Sequence, residues 1–409
     1  MAKSDAGVII VGAGHAGGTV AGLLRQFGYE APITLIGEEP LAPYQRPPLS
    51  KAWLKGEASA DDLMLKGDDF YREAGVDLRV GERVTRIDRE ARTVALGSGG
   101  TLAYEDLILA TGAEPRRLSV PGAELAGVLV LRTAADAEQL KAALGPGRRL
   151  AVIGGGYIGL EAAASARILG GEAVVIEREP RILARVACKA LSDFFTDYHR
   201  GHGVEFRLDA VVEGFAGEHG RITGVRLGSG ETVACDAALV GIGAAPCDGL
   251  ARAAGLDCTG GVVVDEAART ADPHIYAIGD VTHRPVPMYE RMFRLESVAN
   301  ALEQARQAAS AITGRPAPPR EVTWNWSDQY DLKYQFAGLP FDVDEVVIRG
   351  EPKSGRFAVF HMAGELIQAV EAVNAPAEFM GGRQLIAARR RVSRDKLADP
   401  SVSMKEVAA

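Results

Sequence analysis

Two glycine-rich segments have the residue types and the spacing that bind the pyrophosphate of a dinucleotide. A GxGxxG pattern spans residues 12–17, and the same pattern recurs at residues 154–159. In such a pattern the first glycine permits a tight turn, the second lets the backbone approach the phosphates, and the third allows a helix to pack closely on the preceding strand. The glycines concerned are Gly12, Gly14, Gly17, Gly154, Gly156 and Gly159. The chain therefore has two candidate dinucleotide sites.

The surrounding sequence places each pattern between two strands and before an acidic residue. Apolar runs at 8–11 and 150–153 precede the patterns, a helical stretch follows each, and a second apolar run then leads to Glu38 or Glu177. A carboxylate at this position accepts hydrogen bonds from the adenosine ribose. Glu177 favours the free 2′-hydroxyl of NAD, although Arg178 directly after it could serve the 2′-phosphate of NADP. Two dinucleotides in one chain indicate electron transfer between two cofactors.

Three further strand-like runs end in small residues. They are the segments 107–112, 238–243 and 275–280, each of which contains glycine at or next to its end. Glycine at the end of a strand permits close approach of a ligand or of another backbone. The last run ends in Asp280, whose carboxylate can bind a sugar-like polyol.

Composition and charge narrow the class of protein. The chain has 409 residues, enough for two or three domains, and 46 Lys and Arg against 54 Asp and Glu give a net charge of −8. An acidic balance disfavours nucleic-acid binding, and no apolar run approaches the roughly 18 residues of a membrane span. The N-terminal residues pass directly into a strand-like run, so no signal peptide is expected and the predicted location is cytoplasmic.

The cysteine and histidine patterns predict no metal site. The four cysteines show neither a CxxC pair nor the spacing of a zinc site. His199 and His202 are three residues apart and could share one helix face, for which a solvated surface is a stronger expectation than a metal site.

Four longer stretches, together with the glycine patterns, resemble one family. The stretches are PYQRPPLSK at 43–51, RLESVANA at 294–301, WSDQY at 326–330 and LADPSVSMK at 397–405. In them the chain resembles the FAD-dependent NADH:ferredoxin reductases that serve bacterial oxygenases, a branch of the flavoprotein reductases with two dinucleotide-binding domains.

The resemblance implies an α/β fold with two Rossmann-like dinucleotide-binding domains and a C-terminal α+β domain. The FAD domain would be discontinuous and comprise residues 1–113 and 247–320. The NADH domain would comprise 114–246, and the C-terminal domain would comprise 321–409.

The resemblance also implies the cofactor contacts by position. The candidate FAD contacts are Gly12, Gly14, Ala16, Gly17, Glu38, Arg46, Lys51, Val84, Ala110, Arg132, Asp280 and Val298. The candidate NADH contacts are Gly154, Gly156, Tyr157, Ile158, Gly159, Glu161, Glu177, Arg185 and Gly243. Lys51 and Glu161 would meet near flavin N5 as an ion pair that opens when nicotinamide enters. Hydride transfer needs orientation more than an acid–base residue, and no catalytic triad is visible.

The residues around the flavin predict the electron acceptor. Disulfide reductases of the wider superfamily use a thiol relay after the first glycine-pattern helix, and the corresponding segment 42–48 has no cysteine. Electrons would then leave the flavin directly for a small acidic [2Fe–2S] ferredoxin that feeds a haem monooxygenase or a Rieske dioxygenase. Its docking candidates are Arg306, Trp326, which is also a candidate for the electron path, and the basic segment 383–396.

Other functions remain open from the residues alone. A rubredoxin reductase and an NADH oxidase would use the same two cofactors. A flavin-binding, NADH-sensing interaction protein with little turnover is a candidate of a different class.

Overall fold

The computed structural model describes residues 6–67 and 69–408, which form two compact units. The first unit runs through Gln45 and continues through Ala60–Glu114 and Ala245–Glu321. The second unit comprises Arg46–Ser59, Pro115–Ala244 and the chain from Val322 onward. Two short strands, Ala113–Pro115 and Ala244–Pro246, lie where the chain passes from one unit to the other.

A seven-stranded sheet forms the centre of the first unit. In spatial order its strands are Val76–Val80, Ile33–Gly37, Gly7–Val11, Thr101–Leu109, Thr93–Leu96 and Val84–Asp88, with Ile275–Ala277 beside Thr101–Leu109. The strands around Gly7–Val11 are parallel, and all five residues of that strand are buried. An uninterrupted apolar strand is typical of a parallel sheet that is covered on both faces.

Two long helices pack together on one face of this sheet, His15–Gln26 and Val298–Ile312. Their alanine-rich faces share one hydrophobic cluster with the strands, because small side chains let the helices approach closely. The other elements of the unit are the helices Ala60–Leu63, Phe70–Glu73 and Gly249–Ala253, the 3-10 turns Gly279–Val281 and Pro287–Tyr289, and the strands Val262–Val263, Thr282–Val286 and Arg291–Phe293.

The second unit repeats the parallel arrangement. Its parallel sheet has the spatial order Val204–Arg207, Glu172–Ile176, Arg149–Ile153, Ala237–Val240 and Val128–Leu129. The associated helices are Ala134–Ala143, Tyr157–Ile168 and Lys189–Gly201, and a small antiparallel sheet is formed by Val212–Glu218, Arg221–Leu227 and Thr232–Ala234.

The C-terminal part of the second unit is an antiparallel sheet with two helices. The sheet order is Trp324–Gln329, Leu332–Gly338, Leu366–Val373, Arg356–Ala363 and Glu345–Glu351, and the helices are Pro376–Ala387 and Arg394–Ala398, with a 3-10 turn at Pro352–Ser354. The expected fold class, two Rossmann-like domains plus a C-terminal α+β part, is confirmed. Among the residues described, no helix combines the length and apolar character needed to cross a membrane.

The segment Arg46–Ser59 belongs to the second unit, although the sequence analysis assigned it to the FAD domain. It forms the 3-10 turn Pro47–Ser50 and the short helix Ala52–Lys55. Leu54 lies in the large hydrophobic cluster of the second unit, and its side chain is 1% exposed. Burial of this leucine therefore anchors the segment.

We expect Leu54→Ala to destabilise the second unit. Removing a fully buried leucine side chain typically costs about 2–5 kcal/mol, so the urea midpoint of its unfolding should fall. Ile168→Ala is the matched control, because Ile168 lies in the same unit and is 48% exposed. Equal effects of the two substitutions on the urea midpoint would contradict the assigned anchor.

Candidate functional site

The first glycine pattern has the geometry of a phosphate cradle. Gly12 has a φ of +112°, and a Cβ there would lie 2.2 Å from the Ala110 carbonyl oxygen. A Cβ on Gly17 would lie 1.9 Å from the Gly12 oxygen, whereas one on Gly14 would meet no atom of the described residues within 4 Å. The first and third glycines are therefore required by the protein itself, and the space at the second fits a pyrophosphate.

The second pattern repeats this division of roles. Gly154 has a φ of +102°, with the oxygen of Gly241 at 2.4 Å from a Cβ, and a Cβ on Gly159 would lie 2.3 Å from the Gly154 oxygen. At Gly156 the corresponding space is free of described atoms to 4 Å. No side chain among the described residues caps either helix that follows, so the first-turn N–H groups suit an anion. The donor set in both units fits a dinucleotide.

The first unit brings several candidate FAD residues to one end of its sheet. Ala16 lies against the turn that carries Asp280, since a Cβ on Gly279 would be 3.2 Å from the Ala16 Cβ. Gln304 fixes that turn, because its Oε1 accepts hydrogen bonds from Gly279 N at 2.9 Å and Thr282 Oγ1 at 2.8 Å. Gln304 was not among the predicted site residues, because it lies three residues beyond the RLESVANA stretch.

The remaining FAD candidates of the first unit lie at element ends. Glu38 follows the strand Ile33–Gly37 and is exposed, with its Oε1 3.4 Å from Arg83 Nη1. Val84 is buried at the start of its strand. Val298 is the first residue of its helix, which Ser297 caps by accepting a hydrogen bond from Asn300 N.

The acidic residue of the second pattern is fixed by the backbone. Glu177 Oε2 accepts a hydrogen bond from Gly155 N at 2.7 Å, and its Oε1 accepts one from Glu179 N at 2.9 Å. Arg178 forms an ion pair with Glu179 at 3.1 Å. Glu177 is thus held at the turn where a ribose is expected, while the guanidinium of Arg178 is engaged by a neighbouring carboxylate. Both observations support NAD over NADP.

Other NADH candidates gather near the same turn. The Arg185 Nη2 atom lies 3.7 Å from the position of a Cβ on Gly243. The Tyr157 ring stacks on Phe336 with centroids 5.6 Å apart, and burial raises the pKa of the Tyr157 hydroxyl well above its usual range. Ile158 is half exposed in the first turn of the helix, where a flat ligand could cover it.

Lys51 and Glu161 form a partly buried ion pair within the second unit. Lys51 Nζ lies 2.8 Å from Glu161 Oε2, and the Glu161 side chain is 4% exposed. Ser50 Oγ donates a hydrogen bond to the same carboxylate oxygen. Ser165, from the Glu161 helix, donates in turn to the Ser50 carbonyl at 3.1 Å. The pair predicted from the resemblance therefore exists, and Ser50 is an additional member of it.

A row of polar side chains continues from the other oxygen of Glu161. Ser327 Oγ donates to Glu161 Oε1 at 2.6 Å, Gln329 Nε2 lies 3.0 Å from Ser327 Oγ, and Gln329 Oε1 lies 2.7 Å from His199 Nε2. Ser327 and Gln329 belong to the WSDQY stretch, and the sequence predicted no role for either side chain. The expectation of a solvated His199 is wrong, because the helix Lys189–Gly201 turns that side chain inward and leaves it 0% exposed.

Trp326 lies apart from this cluster. It alternates with Ser327 in the strand Trp324–Gln329, and successive side chains of a strand point to opposite faces. The Trp326 ring lies 5.6 Å from that of Trp324, and the Arg383 guanidinium lies 5.6 Å from the Trp324 ring. Of the three predicted catalytic residues, the structure joins Lys51 and Glu161.

The predicted docking cations are partly neutralised by partners far away in sequence. Arg306 pairs with Glu321 at 2.6 Å. In the basic segment, Arg391 lies 3.4 Å from Glu365 and Arg394 lies 2.7 Å from Glu345. The positive charge counted along the segment is therefore larger than the charge that its surface presents. The Arg46 guanidinium, a predicted FAD contact, donates a hydrogen bond to the carbonyl oxygen of Arg132, another predicted FAD contact.

A second buried polar group involves Cys188, which is one of four free cysteines. The ligating atoms of Cys188, His361 and Glu371 lie within 4.8 Å of one another. Glu371 accepts hydrogen bonds from Tyr334 at 2.6 Å and from His361 Nε2 at 2.7 Å. Burial and then the Glu371 charge raise the pKa of the Cys188 thiol to about 11, so it is neutral near pH 7. The geometry is that of a hydrogen-bonded network.

Comparison with known proteins covers nearly the whole chain. The family described as pyridine nucleotide-disulphide oxidoreductase matches residues 6–305, and the reductase C-terminal family matches residues 324–408. The chain is 52% identical over 402 residues to the probable ferredoxin reductase CtmF of Castellaniella defragrans, covering 98% of each protein. It is 39% identical to the rubredoxin-NAD(+) reductase of Pseudomonas putida, covering 90% of this chain and 96% of that protein.

A solved structure supports the same assignment. The chain superposes with a TM-score of 0.97 on a chain of the covalent putidaredoxin reductase–putidaredoxin complex. The two sequences are 38% identical, and the match covers 99% of this chain and 98% of that chain.

We expect Gly156→Ala and Gly159→Ala to separate nucleotide binding from folding. An alanine methyl at 156 fits the free protein but would occupy phosphate space, so the KM for NADH should rise about tenfold, equivalent to roughly 1.4 kcal/mol of binding. An alanine methyl at 159 would collide with a backbone oxygen and should lower the thermal midpoint. Steady-state kinetics and circular dichroism check the two outcomes, and an unchanged KM for Gly156→Ala would contradict the cradle.

His199 should make stability depend on pH. Burial lowers its folded-state pKa from 6.5 to about 4, so the unfolded chain takes up this proton first as the pH falls. Stability is therefore lost between about pH 6.5 and 4, by about 3 kcal/mol in total. His199→Gln should flatten the change in urea midpoint across this range, whereas substitution of the exposed His202 should not. Parallel profiles for wild type and His199→Gln would refute the assignment.

Proposed function

Because the chain belongs to the pyridine nucleotide-disulphide oxidoreductases, and within them to the FAD-dependent ferredoxin reductases, we propose that it passes electrons from NADH through FAD to a small acidic [2Fe–2S] ferredoxin. That ferredoxin would feed a haem monooxygenase or a Rieske dioxygenase. The observation that carries the proposal is the partly buried Lys51–Glu161 ion pair, which connects the PPLSK segment to the helix of the second glycine pattern.

The cofactors supply the redox chemistry, and the protein supplies binding and orientation. FAD, when bound, accepts a hydride from NADH and releases the electrons one at a time. Gly14 and Gly156 leave the space for the two pyrophosphates, and Glu38 and Glu177 accept hydrogen bonds from the riboses. We assign the FAD domain to residues 1–113 and 247–320, of which the segment 46–59 packs in the second unit. We assign the NADH domain to 114–246 and the acceptor-facing domain to 321–409.

Lys51 and Glu161 act at the point of hydride transfer. Lys51 Nζ also lies 3.2 Å from the Pro47 carbonyl oxygen, so the ammonium keeps a backbone partner when it leaves the carboxylate. Ser50 and Ser327 hold Glu161 through the other hydrogen bonds. The ammonium can therefore change its partner when nicotinamide enters, and neither charge is left without a hydrogen bond.

Electrons leave without a thiol relay. The segment 42–48 contains no cysteine, and burial raises the pKa of the Cys188 and Cys235 thiols to about 11 and about 12, so both are neutral and poor nucleophiles. The aromatic pair Trp324 and Trp326, with Arg383 above Trp324, is the docking surface that we favour for an acidic acceptor. Four free cysteines suit a reducing compartment, and we place the activity in the cytoplasm.

The electron acceptor that reoxidises the reduced protein fastest distinguishes the remaining candidate functions. Stopped-flow mixing of NADH-reduced protein with a [2Fe–2S] ferredoxin, a rubredoxin and oxygen should give the fastest reoxidation with the ferredoxin. Cytochrome c reduction should require added ferredoxin. Faster reoxidation by rubredoxin, as the relative from Pseudomonas putida suggests, or by oxygen would replace the proposal. Flavin that NADH reduces but that none of these acceptors reoxidises quickly would instead favour a sensing protein.

Lys51→Met should slow the reduction of bound FAD by NADH by at least about tenfold. The substitution removes the ammonium and leaves Glu161 without its cation, which perturbs the geometry at the transfer point. Lys55→Met is the matched control, because Lys55 lies in the same short segment and pairs with Glu57 at the surface. Single-turnover absorbance at the flavin band measures the rate, and an unchanged rate in Lys51→Met would exclude the proposed role.

A further inference from the structure

The strand Trp324–Gln329 directs two polar side chains into the interior of the second unit. Ser327 and Gln329 are two residues apart and share one face of the strand, and both are buried. Together with His199 they connect the Lys51–Glu161 pair to the helix Lys189–Gly201 through consecutive contacts of 2.6, 3.0 and 2.7 Å. No part of the proposed electron path requires this row of three residues.

The number of protons on each side chain determines which group donates in each hydrogen bond of the row. Ser327 has one hydroxyl proton, which it donates to Glu161 Oε1, so its oxygen can only accept from Gln329. Gln329 must therefore present its amide NH2 to Ser327 and its carbonyl oxygen to His199. That oxygen needs a donor, so His199 must carry its proton on Nε2. The carboxylate of Glu161 thus determines the tautomer of a histidine three hydrogen bonds away.

This tautomer leaves an unsatisfied group. His199 Nδ1 is then a lone-pair acceptor, and it has no hydrogen-bond partner among the described residues although the ring is fully buried. The nearby titratable groups are His202, directly after the end of the same helix, and Tyr330, whose ring centroid lies 5.1 Å from that of His199. A buried acceptor without a partner typically costs about 1–3 kcal/mol, so the arrangement is unfavourable for folding alone.

We propose that His199, Gln329 and Ser327 are positioning residues that act as a one-way chain of donors and hold the Glu161 carboxylate in place while Lys51 leaves and returns. This inference rests on the proposed role of the Lys51–Glu161 pair. All three act through Glu161 and none contacts a cofactor in the scheme. Because Ser327 holds the Oε1 atom, loss of the lysine from Oε2 leaves the carboxylate with its orientation unchanged.

The tautomer of His199 tests the proposed row of hydrogen bonds without any measurement of enzyme activity. In protein labelled with nitrogen-15 at histidine, long-range proton–nitrogen spectra at pH 7 distinguish Nε2–H from Nδ1–H imidazole. The His199 signals are identified by their loss in His199→Gln. We expect the Nε2–H form, and the Nδ1–H form or a charged ring would overturn the proposal whatever the enzyme's activity.

Gln329→Glu tests the direction of the hydrogen bonds in this row, because the two side chains have nearly the same shape. A carboxylate has no proton to give, so both Ser327 and His199 would donate to it and Glu161 would lose its Ser327 partner. We expect the limiting rate of flavin reduction to fall about tenfold, the effect of losing one hydrogen bond to a charged group, with the NADH concentration at half-saturation unchanged. His199 should also become a charged imidazolium at pH 7. Gln139→Glu, on an exposed helix surface, is the control for added charge.

Conservative substitutions distinguish positioning from packing. Ser327→Thr keeps the hydroxyl and should retain the wild-type limiting rate, whereas Ser327→Ala should lose it to the same extent as Gln329→Glu. An unaltered limiting rate in both Gln329→Glu and Ser327→Ala, in protein that retains its flavin spectrum, would overturn the inference. If Lys51→Met has no effect while the tautomer is Nε2–H, the proposed role of the ion pair fails and the chain of donors stands.

Discussion

The second unit depends on the burial of one negative charge, the carboxylate of Glu161. A charge that is 4% exposed is tolerated only if it is paired and hydrogen-bonded. Its partners come from two other parts of the chain, Ser50 and Lys51 from the segment after residue 45, and Ser327 from the C-terminal sheet. This requirement, together with the anchoring of Leu54, explains why both parts pack with the second glycine-pattern helix in one compact unit.

A second buried carboxylate is satisfied in a comparable way. Glu371 accepts hydrogen bonds from Tyr334 and His361, and Tyr334 in turn lies 3.1 Å from the hydroxyl of Tyr157 in the second glycine pattern. Aromatic rings surround these contacts within the large hydrophobic cluster. The C-terminal sheet therefore contributes polar partners to the second glycine-pattern helix at two places, which suits a domain that positions this helix.

The number of basic residues along a segment does not give the positive field at its surface. The basic segment 383–396 and Arg306 have acidic partners such as Glu345 and Glu321 that lie close in space. Exposed pairs of this kind contribute little to stability, but they reduce the local positive field that would attract an acidic partner. Sequence alone cannot give that field, because it depends on which side chains the fold brings together.

The sequence by itself determined the two glycine patterns and the family, because a strand–turn–helix around a phosphate imposes local rules on segments such as residues 12–17. The Lys51–Glu161 pair joins residues 110 positions apart and was expected only through the family resemblance. The tertiary structure decided the burial of His199, the roles of Ser327 and Gln329, and the membership of the segment 46–59. Those features depend on contacts between residues more than a hundred positions apart. No local propensity encodes such contacts, since they follow from satisfying buried polar groups in three dimensions.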